Sequence, residues 1–583
     1  GATLTNTGTI LGGLGGAGGS VGAAKGAAGL GVALAGAGRI TNGGASVHTA
    51  LISGVVGVYA GAASHATVTN YGSITGTGGT SVQFKSASDR LIAETGSRWS
   101  GAAQGGGGTL ELAGGTGKIV GLGGAGALSG AELLKFSGFG TYLIDAGGSW
   151  TVSGANTLAA GRSLTSAASL TVLGTISGAG TLAINGGEAT IRLGAALGVS
   201  HWSVAGGSTI NLGENLTFAG TLTQAATTTL ALGGRTLTLS GAGSSLAGSV
   251  SGIGTLAITA GTDALSGATL AVSHVNLTGG TVTMAGGIAI GGAVTVSGTG
   301  AIVVAGGGAS LTGAGTVRLT NNLVGGAIST ASLTNAIRLE GGGDIGGGKL
   351  ALTNTASGLI ESFGAILLTV DVGGHTIVNA GTLESTIGGG LTTKSAVANT
   401  GLILVHGGTL TLDKAVTGAG TVRIDSGRLD ALGAFTENVT FTGATGVLEL
   451  AKSQAYAGAV TGLSLSGKSS LDLLDIKFIS AAKTTATFVD NGSKTGGVLT
   501  VTDGTHTAHI TLVGDYAGRT FTAGSDGSGG TKVIDPSPAA GAAAMVAAIA
   551  GFSTGPACAA MISGPAPPWR AASLLAAQLD GHA

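Results

Sequence analysis

Apolar residues alternate with threonine and serine over most of this chain, and asparagine or glycine interrupts the alternation at intervals. In VTNYGSITG (68–76), Val68 and Ile74 have the same parity, so both side chains can point inward while the neighbouring threonines and serine point outward. The intervening NYG favours a turn, because asparagine tolerates the left-handed region and glycine accepts a positive φ. The stretch therefore predicts strand, corner and strand, with each strand about three to five residues long.

Variants of this stretch recur along the chain. One group comprises LTNTGTI (4–10), IVNAGTL (377–383) and VANTGLI (397–403); a second comprises SGAGTLAI (177–184), SGIGTLAI (251–258), TGAGTVRL (312–319) and TGAGTVRI (417–424). A unit this short cannot bury its apolar face alone, so it must stack on copies of itself.

Three asparagines in this context have the spacing of successive turns. Asn354, Asn379 and Asn399 lie 25 and 20 residues apart, which is typical of a right-handed parallel β-helix. Asparagines at equivalent corners can stack into a hydrogen-bonded ladder. The alternative is that each asparagine stabilises only its own turn.

Composition favours the same fold. Glycine takes 119 of 583 positions, but six prolines and no G-X-Y period exclude collagen, and 43% hydrophobic with 9% charged residues argues against disorder. Aromatic residues, at 3%, are scarcer than in β-sandwich arrays. We predict an all-β, right-handed parallel β-helix (β-solenoid) with a short Ala/Pro-rich, partly helical C-terminal tail. At roughly 22 residues and ~4.8 Å per turn, its rod would be about 115 Å long.

Changes in composition and in the regularity of the repeats divide the chain into four predicted segments. They are N-terminal solenoid turns with irregular insertions (1–150), a regular Thr/Gly/Leu-rich solenoid (151–445), a C-terminal β module or cap (446–536) and an Ala/Pro-rich tail serving secretion or assembly (537–583).

Charge and cysteine content exclude several classes of function. The net charge is −1 without a basic patch, so we expect no nucleic-acid partner, and the single Cys558 excludes an intrachain disulfide framework. No apolar run approaches the ~20 residues of a membrane helix, so we expect no transmembrane segment. The N-terminal sequence does not resemble a signal peptide, which predicts another export route, a removed leader or a piece of a longer protein.

The repeats resemble those of bacterial extracellular β-strand-repeat proteins, a loose group that includes autotransporter passenger domains and filamentous-haemagglutinin-like adhesins. The resemblance covers about residues 1–536. It rests on the TNxGxI and GAGTL sequences, on DRLIAETGSRWSG (89–101) with GGGGTLELAGG (105–115), and on VLTVTDGTHTAHITLVGDY (498–516) with SDGSGGTKV (525–533). It implies secretion, a long β-solenoid stalk, and a role in adhesion, surface coating or matrix building.

The chain departs from autotransporters at its C-terminus. It has no block of ~10-residue amphipathic strands that could form an outer-membrane barrel. The Ala/Pro-rich tail looks more like the uncleaved end of a type I secretion substrate. A cleaved leader or barrel is the alternative.

Catalysis on glycans would need carboxylates gathered with basic residues on one face of the solenoid. The best candidate is TLDKAVTGAGTVRIDSGRLD (411–430), which offers Asp413, Lys414, Arg423, Asp425, Arg428 and Asp430. The alternative is a charged face that keeps a sparsely charged rod soluble. We favour the alternative and predict no enzyme, no catalytic residue and no cofactor site.

Other candidate sites are weaker. Asp472 and Asp475, and likewise His506 and His509, fall on opposite faces if their segments are strands, which argues against paired carboxylates and a zinc site. Asp526 is a weak calcium candidate, because its segment resembles a single calcium-binding nonapeptide; a glycine-rich turn is the alternative. We predict that Trp99, Trp150 and Trp202 plug the core or its edge, whereas Trp569 lies in the tail.

The sequence therefore predicts a secreted, non-enzymatic structural or adhesive β-solenoid of the bacterial surface or extracellular matrix. A solenoid with uncapped end strands associates readily, so we expect copies of the chain to dock through the first turn and residues 446–583; missing earlier turns are the alternative. Surface glycans or host and matrix components are further candidate partners. The alternative functions are an adhesin stalk with a receptor-binding tip and a glycan-active β-helix enzyme.

Overall fold

The computed structural model describes residues 1–16, 26–464 and 467–535. This part is nearly all β, and its strands wind into a parallel β-solenoid of about 20 turns. The predicted fold class is confirmed, while the right-handed sense stays a prediction. The predicted tail (537–583), with its short helices, Cys558 and Trp569, lies outside the described residues.

In the described residues, fifty-five short strands and one 3-10 turn, Ser453–Ala455, make up the solenoid and its end. The first nine turns contain β1 (Ala2–Asn6), β2 (Thr9–Leu11), β3 (Val32–Leu34), β4 (Gly38–Asn42), β5 (Leu51–Ala60), β6 (Ala66–Asn70), β7 (Ser73–Phe84), β8 (Arg90–Ala93), β9 (Arg98–Gln104), β10 (Thr109–Leu112), β11 (Thr116–Val120), β12 (Ala125–Gly130), β13 (Leu134–Ser137), β14 (Thr141–Ile144), β15 (Ser149–Val152), β16 (Ala155–Thr157), β17 (Ser163–Ser166), β18 (Ser169–Val172), β19 (Thr175–Asn185), β20 (Glu188–Ile191), β21 (Ala196–Ala205), β22 (Thr209–Leu212) and β23 (Leu216–Phe218). The middle turns contain β24 (Thr221–Gln224), β25 (Thr229–Ala231), β26 (Thr236–Leu239), β27 (Ser245–Leu246), β28 (Ser249–Ile258), β29 (Thr262–Ser266), β30 (Thr269–Leu277), β31 (Thr281–Ile290), β32 (Ala293–Val296), β33 (Ala301–Thr312), β34 (Thr316–Gly326), β35 (Ala331–Asn335), β36 (Arg338–Gly346), β37 (Leu350–Asn354) and β38 (Leu359–Gly364). The remaining strands are β39 (Leu368–Val370), β40 (Ile377–Asn379), β41 (Thr382–Gly388), β42 (Leu391–Thr393), β43 (Val397–Asn399), β44 (Leu402–Leu412), β45 (Val416–Gly418), β46 (Thr421–Ala431), β47 (Val439–Phe441), β48 (Gly446–Leu450), β49 (Ala459–Thr461), β50 (Ser469–Leu473), β51 (Thr485–Asp490), β52 (Gly496–Thr502), β53 (Thr507–Val513), β54 (Thr522–Ser525) and β55 (Thr531–Ile534).

Each turn contributes to three parallel ladders, because its strands pair in register with the turn before and the turn after. The first ladder runs without a break from β1 through β4, β6 and β8 to β48 and β50. The second begins with β2 and β5 and includes β35, β37, β40 and β43; the third includes β36, β38, β41 and β44. Longer strands such as β44 bend at a corner and serve two ladders.

Alternating side chains place one side of every ladder in a single core. Val68 and Ile74 are fully buried, as their shared parity predicts, and belong to one apolar cluster that includes residues from the first turns to Val533. Trp150 and Trp202 are buried in this cluster, whereas Trp99 packs against it only in part. Burying apolar surface stabilises the fold by about 25 cal/mol per Å². A single turn could not bury this face, whereas stacked turns bury it against one another.

Asparagine side chains stack at two corners of the solenoid. In the second ladder, Asn335 Nδ2 donates to Asn354 Oδ1 (2.9 Å), Asn354 Nδ2 to Asn379 Oδ1 (2.9 Å), and Asn379 Nδ2 to Asn399 Oδ1 (2.8 Å). All four residues are fully buried. Each turn is also bonded locally, since Asn335 Nδ2 donates to Ile337 O (2.9 Å). Each asparagine therefore bonds both its own turn and the next, so the alternative that it stabilises only its own turn is wrong.

A matching column joins Asn6, Asn42 and Asn70 at the end of the first ladder's strands, with Nδ2–Oδ1 distances of 2.8 Å. This column explains the asparagine of VTNYGSITG. The glycine has a different reason from the one expected. Gly72 does not adopt a positive φ, but a side chain there would overlap the carbonyl group of Ala50 in the turn before. Close approach between corners therefore requires the glycine.

One antiparallel excursion interrupts the parallel winding near the N-terminus. Strands β11 and β12, and β12 and β13, pair antiparallel, and β11 then rejoins the parallel winding against β15. At its base the carboxyl group of Glu132 is buried, and burial raises the pKa of Glu132 to about 7. The backbone N–H groups of Gly96 and of Glu132 itself oppose this shift of the pKa only in part. This group is therefore partly neutral near pH 7.

A second antiparallel region lies at the C-terminal end. Strands β51, β52 and β53 form hairpins, with β53 stacked on β49, while β55 pairs antiparallel with β50. This region covers the last strands of the first and third ladders. Parallel turns continue through β48 and β50, beyond the predicted boundary at 446, and the boundary at 150 falls inside β15.

The asparagine column should contribute measurably to stability. Replacing Asn379 with alanine leaves the Asn399 Oδ1 without its donor and removes an acceptor from Asn354, so we expect the free energy of unfolding to fall by about 2–3 kcal/mol. Urea denaturation measures the loss, and hydrogen exchange should show it localised to the turns between 354 and 402. The matched control is Asn276→Ala, because Asn276 lies on the outer face of β30. Equal effects of the two substitutions would contradict a stabilising column.

Candidate functional site

Charged residues, scarce elsewhere, form a column on the outer face of the third ladder. The in-register pairing of β34, β36, β38 and β41 aligns Arg318 with Glu340, Glu340 with Glu361, and Glu361 with Glu384. We call Glu340, Glu361 and Glu384 the acidic column. Each alternates with buried apolar neighbours such as Leu339 and Ile360, which explains why all three side chains share the outer face.

Two arginines compensate the acidic column. Arg318 Nη2 lies 2.5 Å from Glu340 Oε1, and Arg338 Nε lies 2.5 Å from Glu340 Oε2. Arg338 also reaches the next turn, where its Nη2 lies 2.7 Å from Glu361 Oε2. The side chains of Glu340 and Glu361 are only 4% and 8% exposed. Such stacked like charges are destabilising unless a cation bridges them, and Arg338 is that cation.

Burial raises the pKa of Glu361 above its ordinary value, while Arg338 opposes the shift and the neighbouring carboxylates of Glu384 and Glu340 add to it. The basic side chain beside Glu384 is His406 and not an arginine, with Nδ1 3.9 Å from Glu384 Oε1. His406 Nδ1 also lies 3.6 Å from Asp425 Oδ2. The lower part of the column is thus richer in acid than in base.

An open groove of about 320 Å³ runs beside the lower acidic column. Its apolar side includes the exposed Ile387 and the half-exposed ring of Phe363, over which the Arg318 guanidinium carbon lies 4.8 Å from the ring centroid. The lining consists of Glu361, Phe363, Thr386, Ile387, Glu384 and His406. Carboxylates opposite an apolar wall suit a polar or cationic ligand with an apolar face. We call this the acidic groove.

The structure divides the candidate segment 411–430 among different faces of the solenoid. Arg423 and Asp425 lie on the outer face of the third ladder, where Asp425 is near His406, a residue that lines the acidic groove. Arg428 and Asp430 lie on the first ladder, and Asp413 follows β44 at the corner beyond it. The six residues considered from sequence therefore do not form one cluster.

Arg428 and Asp430 belong instead to a second acidic column, which also contains Glu449 and Asp472. Arg428 Nε lies 2.5 Å from Asp430 Oδ1, Arg428 contacts Glu449, and its Nη2 lies 3.3 Å from Asp472 Oδ2. Burial raises the pKa of Asp472, and Arg428 opposes the shift. The arrangement repeats the first column: stacked carboxylates with an arginine bridging turns.

The remaining sequence candidates stay apart. Asp475 accepts hydrogen bonds from Ser453 rather than facing Asp472. His506 Nδ1 lies 3.0 Å from Asp503 Oδ2, whereas His509 Nδ1 lies 3.2 Å from Thr500 Oγ1. The two histidines therefore have different partners.

Asp526 lies in the turn between β54 and β55. Its Oδ1 accepts a hydrogen bond from Ser528 N at 2.7 Å, as in a glycine-rich turn. No group of three or more His, Cys, Asp or Glu side chains within residues 1–16, 26–464 and 467–535 is arranged to hold a metal ion. The calcium site at Asp526 stays a prediction.

Sequence reasoning missed the acidic column, although a signal for it exists. Glu340 follows the corner Asn335 by five residues in NAIRLE, and Glu384 follows Asn379 by five in NAGTLE. In the intervening turn the corner is two residues longer, so Glu361 follows Asn354 by seven. Aligning the turns on their asparagines would have placed the first and third carboxylates of the column on one face.

The acidic column should depend on Arg338. Replacing Arg338 with glutamine leaves two nearly buried carboxylates less compensated, so we expect a loss of about 1–3 kcal/mol in the free energy of unfolding at pH 7. The raised pKa of Glu361 sets the pH dependence: protonation removes the repulsion, so the loss should shrink as pH falls from 7 to 5. Urea titrations at both pH values measure it.

The matched control is Arg235→Gln, since Arg235 is exposed and makes no ion pair in the described chain. The double variant Arg338→Gln with Glu361→Gln should recover much of the loss. A loss that is equal at pH 5 and pH 7 would contradict this electrostatic role.

Comparison with known proteins adds no relative: no family model matches the chain, and neither a curated protein nor a solved structure matches it. Within the described residues, no helix has the length and apolar character needed to span a membrane. The fold itself is that of a β-helix repeat protein, with about 20 turns of parallel β-solenoid.

Proposed function

We propose that this chain is a non-enzymatic structural or adhesive β-solenoid that works outside the cell, on the bacterial surface or in an extracellular matrix. The observation that carries the proposal is the unbroken first ladder, from β1 to β50, over a single core. Such a ladder makes a rod of about 95 Å at ~4.8 Å per turn. A long rod can hold its two ends far apart and can present the two charged columns on its sides to partners. A scaffold or an adhesin requires both.

Secretion and the likeness to autotransporter-passenger or haemagglutinin-like adhesins belong to the same proposal. Their support is the repeat sequence and the sparse charge, with 25 basic and 26 acidic residues in 583. Surface glycans and host or matrix components are the partners that such a role implies. The acidic groove is the surface at which we place a cationic or polar partner.

The proposal also includes self-association of the chain through the ends of the solenoid. Strand β1 has the same inward and outward pattern as β4 and β6, to which it is connected through the first ladder. A further turn of this kind, from the same chain or from another copy, would pair with the edge of β1 that no described strand covers. At the other end β53 and β55 cover two ladders, so association there would use the antiparallel cap rather than stacked parallel turns.

Electron microscopy of negatively stained protein tests the assembly. We expect filaments or sheets whose repeat is a multiple of the rod, and we expect Thr3→Lys with Thr5→Lys to shorten them, because lysine on an edge strand opposes pairing. The matched control, Ser163→Lys with Thr165→Lys, puts the same charges on the outer face of the interior strand β17. Calcium dependence that is lost in Asp526→Asn would support the calcium site.

Isolated rods of about 95 Å, unchanged by the β1 substitutions, would contradict self-assembly. They would favour the alternative of an adhesin stalk, in which the compact antiparallel cap formed by β51–β55 is the receptor-binding tip.

A glycan-active enzyme is the second candidate, and the observation that favours it is the acidic groove. The backbones of Glu361 and Glu384 lie on adjacent turns, ~4.8 Å apart, which is comparable to the ~5 Å between the carboxyl groups of retaining glycosidases, and burial raises the pKa of Glu361. Release of reducing ends from polysaccharides that falls about 100-fold or more in Glu384→Gln, but not in the outer-face control Glu188→Gln, would establish it. No release by the unaltered chain would leave the structural function.

A further inference from the structure

The second ladder is interrupted beside Trp99. Residues 98–100 of β9 pair with residues 73–75 of β7 in the turn before. On the other side, β13 pairs with β9 only at Ala103 and Gln104. Among the described residues, no strand pairs with the first half of β9 on the side of the following turn.

The backbone of Trp99 faces this opening. Arg98 N donates to Gly72 O at 2.8 Å, so the peptide groups of Arg98 point toward the preceding turn. Successive residues of a paired strand direct their N–H and C=O groups to opposite sides. Trp99 therefore presents one donor and one acceptor to the side where the next strand is missing.

A groove of about 450 Å³ occupies the place of that strand. It lies where β9 and β13 diverge, and its lining includes Trp99 and Ala102 of β9, Leu133 and Lys135 at β13, and Ala127 of β12, the strand that pairs with β13 on the side away from β9. Leu133 is 68% exposed, although it is a large apolar side chain. The groove thus combines an apolar lining with a free strand edge.

The charges beside this groove are positive and uncompensated. Arg98 and Lys135 are exposed, and neither belongs to any ion pair in the described chain. Glu132 is close in sequence to Lys135, but it is buried and its pKa is raised to about 7. An incoming carboxylate would therefore find two free cations.

We propose that this gap is a docking site for an extended, acidic peptide segment of a partner protein, which adds to β9 as a strand. The backbone of the segment would pair with Trp99 N–H and C=O. Alternate side chains of a strand face opposite ways, so one apolar side chain would contact Trp99 and Leu133 while its acidic neighbour faces Arg98 or Lys135. The site does not depend on the acidic groove or on filament formation.

Hydrogen exchange tests the geometric premise on the full chain. The Trp99 amide should exchange at least about tenfold faster than the amide of Ile290, a buried residue whose strand β31 is paired on both sides. Strong protection of Trp99 N–H in the free protein would overturn the proposal.

A defined probe tests the docking itself. The probe is the peptide acetyl-Thr-Val-Asp-Val-Asp-Val-Thr-amide, and binding should protect the Trp99 amide. An analogue methylated at alternate backbone nitrogens keeps every side chain but loses one edge of donors, so it should not bind. An analogue with lysine in place of aspartate should bind at least about fivefold more weakly.

Charge reversal on the protein provides the matched variants. Lys135→Glu should weaken binding of the aspartate peptide about fivefold or more, whereas Lys118→Glu, on the outer face of β11, should change it less than twofold. Equal effects of the two substitutions would overturn the proposal, as would equal binding of the methylated analogue. Absence of peptide binding together with binding of a neutral oligosaccharide at Trp99 would also overturn it, in favour of a sugar site.

Discussion

In-register pairing between successive turns is the constraint on which the whole structure depends. Each residue lies ~4.8 Å from its equivalent in the next turn. A side chain must therefore pack favourably against a side chain of the same kind directly above and below it. Apolar residues satisfy this on the inside, and asparagine satisfies it at the corners because its side chain is both donor and acceptor. The pairs from Asn335 to Asn399 show this directly, since each buried amide donates to the next at 2.8–2.9 Å.

The same constraint explains why the sequence predicts some features and not others. The parity of Val68 and Ile74 predicts their burial, because alternation is visible within one strand. The spacing of Asn354, Asn379 and Asn399 predicts the stacked turns, because the same short motif recurs at each of them. The need for glycine at Gly72 was assigned to the wrong cause, since the overlapping Ala50 carbonyl belongs to the preceding turn, 22 residues earlier. Likewise, the excursion of β11–β13 depends on a choice of partner strand that no short window of sequence specifies.

Charged side chains are the ones that in-register stacking tolerates least. Two carboxylates in register repel each other, which makes a sparsely charged composition a natural consequence of the fold. In each of the two columns one arginine spans stacked carboxylates: Arg338 reaches Glu340 and Glu361, and Arg428 reaches Asp430 and Asp472. Sequence reasoning grouped Asp425 with Asp430 because they are close in the chain. Register separates them, since a corner of the solenoid lies between the two strands that β46 contributes.

Register also determines where a solenoid can bind another chain through its backbone. Strand edges point along the rod axis, so a complete turn hides them between its neighbours and leaves only outward side chains for contact along the sides. The acidic groove is of that kind, because Glu361 and Glu384 lie on strands paired on both sides. The gap at Trp99 differs, since β13 meets β9 only at Ala103 and Gln104 and no strand of the described part of the chain covers the edge before them. An antiparallel excursion is thus more than an irregularity: by displacing a strand, it creates mid-rod the kind of edge that an uninterrupted solenoid has only at its ends.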